Sequence, residues 1–184
     1  ENEQWMLEQY ANIMRKDRPT LVTYNGRGFD VPLLSLRGMH HGIPMAFHFG
    51  KDFRYRYSDT GHQDVADDMC DYGAAYRYKL GDAAQLLGLP GKLGIDGTKV
   101  WEYYREGRTK EIEEYCWLDV FETACLFMRL QIVKGRTNTE AYRSIVQSLL
   151  DAADRKASPS GYLWDALNQT DRSALLLGEP ELPF

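Results

Sequence analysis

Two short segments carry side chains that could act on a substrate. The first is Asn25-Gly-Arg-Gly-Phe-Asp30, which follows the short apolar run 21–24. A carboxylate at the end of a strand points into the crevice where open α/β sheets bind their ligands. The same residues also make an ordinary turn, with Gly26 and Gly28 bending the chain and Asp30 capping a helix. The second segment is Tyr115-Cys-Trp-Leu-Asp119. A phenol and a carboxylate at i and i+4 share one helix face and can converge on a single point. With 12 tyrosines and 15 aspartates in 184 residues, about one Tyr-x-x-x-Asp is expected by chance, and three occur. Tyr55/Asp59 and Tyr78/Asp82 lie in segments of unclear structure, whereas Tyr115/Asp119 sits inside the best helix of the chain. A plain helix surface with Tyr115 at the edge of the core fits that spacing equally well.

The elements that would position these residues can be read along the chain. Trp5, Leu7, Tyr10, Ile13 and Met14 recur at helical spacing over residues 3–16, and Pro19 stops that helix. Residues 21–24 read as a buried strand closed by the glycine turn. Asp30 then stands where it caps a second helix that ends near Gly42. The aromatic and arginine-rich stretch 43–63 has no period and reads as an irregular or hairpin excursion, with a second strand near Val65. Short helices are expected over 83–87 and 100–106, separated by the loop LGLPGKLGIDGTK. The long helix 110–134 is given a core stripe of Ile112, Cys116, Val120, Cys125, Met128 and Ile132, and Gly135 ends it. Helical stretches follow over 138–156 and 162–168. One strand, or two, has nothing to pair with in such a chain, and unpaired buried backbone is too costly to tolerate. The sequence therefore reads as an α/β domain lacking the first strands of its sheet.

Composition excludes several classes. No run reaches the roughly 18 apolar residues of a membrane helix, and ENEQWMLEQY has neither the basic start nor the apolar centre of a signal peptide. Cys70, Cys116 and Cys125 are an odd number without metal-ligand spacing, against both a disulfide framework and a zinc site. Reduced thiols fit a cytoplasmic protein. The net charge of −5 is the wrong sign for a broad nucleic-acid-wrapping surface, although a site gripping a few nucleotides needs only local positive charge.

Asn-x-x-x-Phe-Asp after a strand, followed about ninety residues later by Tyr-x-x-x-Asp in a long helix, resembles the second and third motifs of the DEDDy 3′-5′ exonucleases. The segments PTLVTYNGRGFDVPLL, HQDVAD, LGLPGKLGIDGTKVWEYY and EYCWLDVFET extend the resemblance over about residues 5 to 135. They are similar to a family of predicted 3′-5′ exonucleases related to the proofreading domain of family B DNA polymerases. The resemblance implies an RNase H-like mixed sheet flanked by helices. It implies a partial exonuclease domain over 1–136, with 137–184 as a helical extension packed on the same domain. It further implies two divalent cations, Mg²⁺ or Mn²⁺, which suit hard oxygen ligands and in-line cleavage of a phosphodiester. Asp30 and Asp119 would be metal ligands, and Tyr115 would orient the attacking water. Asn25 and Phe29 would contact the terminal nucleotide, or serve as turn and core residues. Lys92 and Lys99 are phosphate-contact candidates, against the plainer reading of solvated loop lysines. Asp64 in HQDVAD is read as bonding backbone at a strand end. The family's first motif, an Asp-x-Glu, is absent before Asn25, so the chain alone is expected to be inactive. The substrate implied is the 3′ end of single-stranded DNA or RNA. The alternative is a degenerate nuclease fold that binds nucleic acid or protein without cutting.

Overall fold

The computed structural model describes residues 2–91, 93 and 97–178, in two compact units, Glu1–Arg77 and Tyr78–Phe184. Among the described residues the chain is a mostly helical α/β protein with a small parallel sheet of two strands.

The first unit opens with α1, Glu3–Lys16, started by Asn2, whose side chain accepts from the Gln4 N–H at 3.0 Å. Glu3 in the first turn and Arg15 and Lys16 in the last complement the helix dipole. Leu7, Ala11 and Met14 form the buried face of α1, while Trp5 and Ile13 face solvent. The expected stripe is therefore rotated, because the small Ala11 rather than a bulky residue occupies the closest approach. Strand β1, Leu21–Thr23, pairs in parallel with β2, His62–Asp64, in the register Leu21↔His62 and Thr23↔Asp64. A parallel pair needs a crossover, and α2, Asp30–His41, supplies it. The stretch 43–63 is accordingly no hairpin: it holds a 3₁₀ turn, Ala46–Phe49, and the short α3, Lys51–Arg54. The second strand ends just before Val65, which opens α4, Val65–Met69. Helix α2 ends at Gly42, whose φ of 66° suits a residue without Cβ. His48 and His62 are buried with Phe53 stacked between them.

The second unit is built around α7, Thr109–Val133. The short α5, Leu80–Ala84, and α6, Val100–Arg105, pack against it, as do α8, Thr139–Lys156, and α9, Tyr162–Gln169. Helix α10, Arg172–Leu175, follows. The buried face of α7 includes Glu114, Leu118, Phe121, Glu122, Cys125 and Leu126. Of the expected stripe only Cys125 is buried, and Val120 is 65% exposed. Apolar residues lie all round this helix and its partners cover several sides, so periodicity does not fix the phase of the buried face. Helix α8 buries Tyr142, Val146, Leu150 and Ala153. The Tyr142 hydroxyl donates to the Leu175 carbonyl at 2.7 Å, and Arg129 of α7 donates to the same oxygen at 2.8 Å, tying α10 to α7 and α8. A Glu114 carboxylate oxygen accepts from the Leu163 N–H at 3.3 Å, capping α9 from a neighbouring helix. Gly161 leaves room for that carboxylate, which a Cβ at this position would strike. Cys70 and Cys125 are buried, whereas Cys116 is exposed. Among the described residues no helix is long and apolar enough to cross a membrane.

Candidate functional site

In the first unit the loop from Asn25 to Phe29 is held against the end of β2 by Asp64. Its carboxylate accepts from the Asn25 N–H at 2.7 Å, the Arg27 N–H at 2.9 Å and the Ala66 N–H at 3.1 Å. Asp64 therefore bonds backbone and shapes the loop, as its place at the strand end led us to expect. Asn25 sits at φ 59°, a left-handed conformation that asparagine tolerates, and its side-chain oxygen accepts from Arg77 at 3.2 Å. Gly26 packs on Thr23, where a Cβ would overlap the threonine side chain, itself bonded to His62 at 2.8 Å.

Asp30 differs from its expected place by one position. Phe29 occupies the N-cap with φ −136° and ψ −66°, and Asp30 is the first residue inside α2. The Val31 N–H reaches back to the Gly26 carbonyl at 2.9 Å, so the turn is closed by backbone and no side-chain cap is made. Asp30 is freed from the capping role. Partial shielding from water, with the charge of Asp64 as a further cause, pushes its carboxyl above the ordinary carboxylate value. Phe29 is 63% exposed, which sets aside the core reading and leaves its ring open to solvent.

In the second unit α7 brings Tyr115 and Asp119 together, one turn apart, on the wall of a small cavity. Burial, followed by the charge of Asp119 and a hydrogen bond to it, holds the Tyr115 phenol well above its usual range. The phenol stays protonated at neutral pH and donates to the carboxylate. Glu122, which sequence reasoning passed over, lines the same cavity with only 2% of its surface exposed. One of its carboxyl oxygens is buried without a hydrogen-bond partner. Burial first and the Asp119 charge second push its carboxyl up to about 7. Its signal lay in Leu118, Phe121 and Cys125, which share its buried arc. Tyr162 of α9 and Gly91 complete the wall, and the cavity holds about 80 Å³, enough for a few waters or a hydrated cation.

Lys99 is exposed at the start of α6, and Lys92 lies outside the described residues. Among the described residues no group of three or more His, Cys, Asp or Glu side chains converges as a metal cluster. Asp119 and Glu122 nevertheless offer hard oxygen donors at i and i+3 of one helix, one of them with an orphaned oxygen in the cavity. That donor set fits a Mg²⁺ or Mn²⁺ ion, which is commonly held by one or two carboxylates with water and substrate phosphate filling the other positions.

No curated protein and no solved structure matches the chain. Residues 1–169 do match a family defined by sequence, and the chain belongs to it: the predicted 3′-5′ exonucleases related to the exonuclease domain of PolB.

Proposed function

We propose that the protein is a metal-dependent 3′-5′ exonuclease of RNase H-like fold that removes nucleotides from the 3′ end of single-stranded DNA or RNA. The observation that carries this reading is the Tyr115–Asp119 pair on the cavity wall with the buried, unpartnered Glu122 beside it. Asp119 and Glu122 would hold a divalent cation, Mg²⁺ or Mn²⁺, and the chemistry such an ion would supply there is activation of water and stabilisation of charge on the leaving oxygen. Tyr115 acts as a donor, because its phenol remains protonated; it fixes the Asp119 carboxylate and orients water rather than taking a proton. Asp30 is a further metal-binding carboxylate in the first unit. Phe29, with its ring open, stacks on the terminal base without regard to base identity.

The test is degradation of a 5′-labelled oligonucleotide in Mn²⁺ by the complete protein, comparing it with its Asp30→Ala and Asp119→Ala variants. Loss of a 3′-to-5′ product ladder in both variants is the expected result. A variant at Asp119 that keeps full activity sinks the reading. A second reading, binding of nucleic acid without cleavage, is favoured by the lack of a third converging carboxylate among the described residues. It would be preferred if the wild-type protein binds the oligonucleotide and leaves it intact over a range of Mn²⁺ and Mg²⁺ concentrations.

A further inference from the structure

The first unit contains a cleft of about 420 Å³ that the exonuclease reading leaves unused. Arg27, Arg54, Arg56 and Arg77 line it beside the Asn25 loop, with Asp67 as the carboxylate among them. Four guanidinium groups line the cleft with Asp67, and Asp64 also acts on Arg27 and Arg77, so the four cations still outnumber the nearby carboxylates in a chain whose net charge is −5.

The four arginines divide by their partners. Arg27 is built into the frame, donating to the His62 carbonyl at 2.8 Å and the Phe53 carbonyl at 3.1 Å, with its Nε 3.6 Å from Asp67. Arg77 bridges Asp67 and the Asn25 side chain at 2.5 and 3.2 Å. Arg56 contacts Asp67 at 2.7 Å, with 42% of its side chain exposed to solvent. Arg54 stands 4.5 Å over the Phe49 ring and has no carboxylate partner among the described residues. Asp67, 2% exposed, is already shared by three arginines and cannot neutralise them all. Like charges gathered in a cavity are stabilised when an anion enters. The same segment alternates these cations with exposed rings, namely Phe49, Tyr55 and Tyr57, all more than half exposed. A free phosphate needs no rings, whereas a single strand uses both a charged track and stacking faces.

We infer that this cleft binds the phosphodiester backbone of a single-stranded nucleic acid, with Arg54 and Arg56 on the phosphates and the neighbouring rings against the bases. The inference rests on the nucleic-acid substrate proposed above and assigns a surface that grips the strand within the first unit. The test measures fluorescence anisotropy of a labelled oligothymidylate in EDTA, so that cleavage cannot intervene, at several salt concentrations. Arg54→Gln and Arg56→Gln are compared with wild type and with Lys16→Gln, an exposed charge outside the cleft. Each arginine variant is expected to bind several-fold more weakly and to lower the slope of log affinity against log salt by about 0.7, the contribution of one phosphate contact on a single strand. Lys16→Gln should match wild type. Arg54 makes no hydrogen bond that the fold depends on, so its variant reports binding even if Arg56→Gln is destabilised. Arginine variants with the wild-type slope and affinity overturn the assignment, as does binding of inorganic phosphate but not of the oligonucleotide. Cleavage in Mn²⁺, scored separately with Asp119→Ala, decides the exonuclease reading, which stands or falls independently of the arginines.

Discussion

Replacing Glu122 by Gln should stabilise the protein in alkaline solution and leave it nearly unchanged in mild acid. The carboxyl is pushed from an ordinary value of 4.5 up to about 7, first by burial and then by Asp119. A carboxyl raised in the folded state binds its proton more tightly there than in the unfolded chain. Its contribution to stability is complete below pH 4.5 and is lost as pH rises through 7. At about 1.4 kcal/mol per pH unit, the interval between the two values comes to about 3 kcal/mol of destabilisation above pH 7. Glutamine keeps the shape and cannot ionise, so it avoids that cost. Urea unfolding at pH 5 and pH 8.5 measures both limbs. With a slope of about 2 kcal/mol/M, the Gln variant should gain about 1.5 M in midpoint at pH 8.5. Asp119→Asn removes the second cause, brings the Glu122 carboxyl closer to its ordinary value, and should make the loss smaller and complete at lower pH. If Glu122→Gln shifts the midpoint equally at both pH values, the carboxyl is not held protonated and the reasoning fails.

Other outcomes follow from the same geometry. His48 and His62 are both pushed down to about 4 by burial, so the unfolded chain takes up their protons first; stability should fall as pH drops from 6.5 to 4, by about 3 kcal/mol for each ring, and their ring resonances should titrate near 4 rather than 6.5. Asp64→Ala removes three backbone hydrogen bonds to one carboxylate and should cost about 3 kcal/mol in chemical unfolding, while Asp64→Asn should recover part of it. A loss below about 0.5 kcal/mol would mean that the loop holds its shape without Asp64. Tyr115→Phe should lower kcat by about a hundredfold with little change in KM, and the wild-type rate should show no limb from phenol ionisation up to about pH 10. A change in KM alone would assign Tyr115 to substrate binding.

How far the sequence reveals this arrangement depends on contrast. Helix α8 is legible because Tyr142, Val146, Leu150 and Ala153 stand out on a polar helix, and Asn138 marks its start. Helix α7 is legible in extent but not in phase, since its apolar residues surround the axis; Cys116 and Val120 therefore read as core and are exposed. That loss of phase also hid Glu122, because a glutamate three residues after Asp119 looks like one more solvated charge until Leu118 and Phe121 are known to face inward. Tyr115 and Asp119 needed only the helix itself to be grouped. The arginine cleft was beyond reach: residues 49–57 have no period, and Arg77 joins Arg56 only through Asp67, a contact that no local pattern encodes. Asp30 was placed one position early because turn chemistry alone does not distinguish a side-chain cap from the backbone closure between Val31 and Gly26.

The uneven exposure of the three thiols gives the protein a ready-made reporter position. Cys70 and Cys125 are sealed in the interior, so an alkylating dye or spin label reaches Cys116, the residue after Tyr115 and one turn before Asp119. A probe attached there sits at the rim of the candidate site without any engineered cysteine. Partial shielding from water, together with the Asp119 charge, pushes the thiol above its ordinary value, so modification is slow at neutral pH. A cation settling beside Asp119 would offset that charge and quicken the reaction, turning the rate of alkylation into a signal of metal occupancy that requires no substrate.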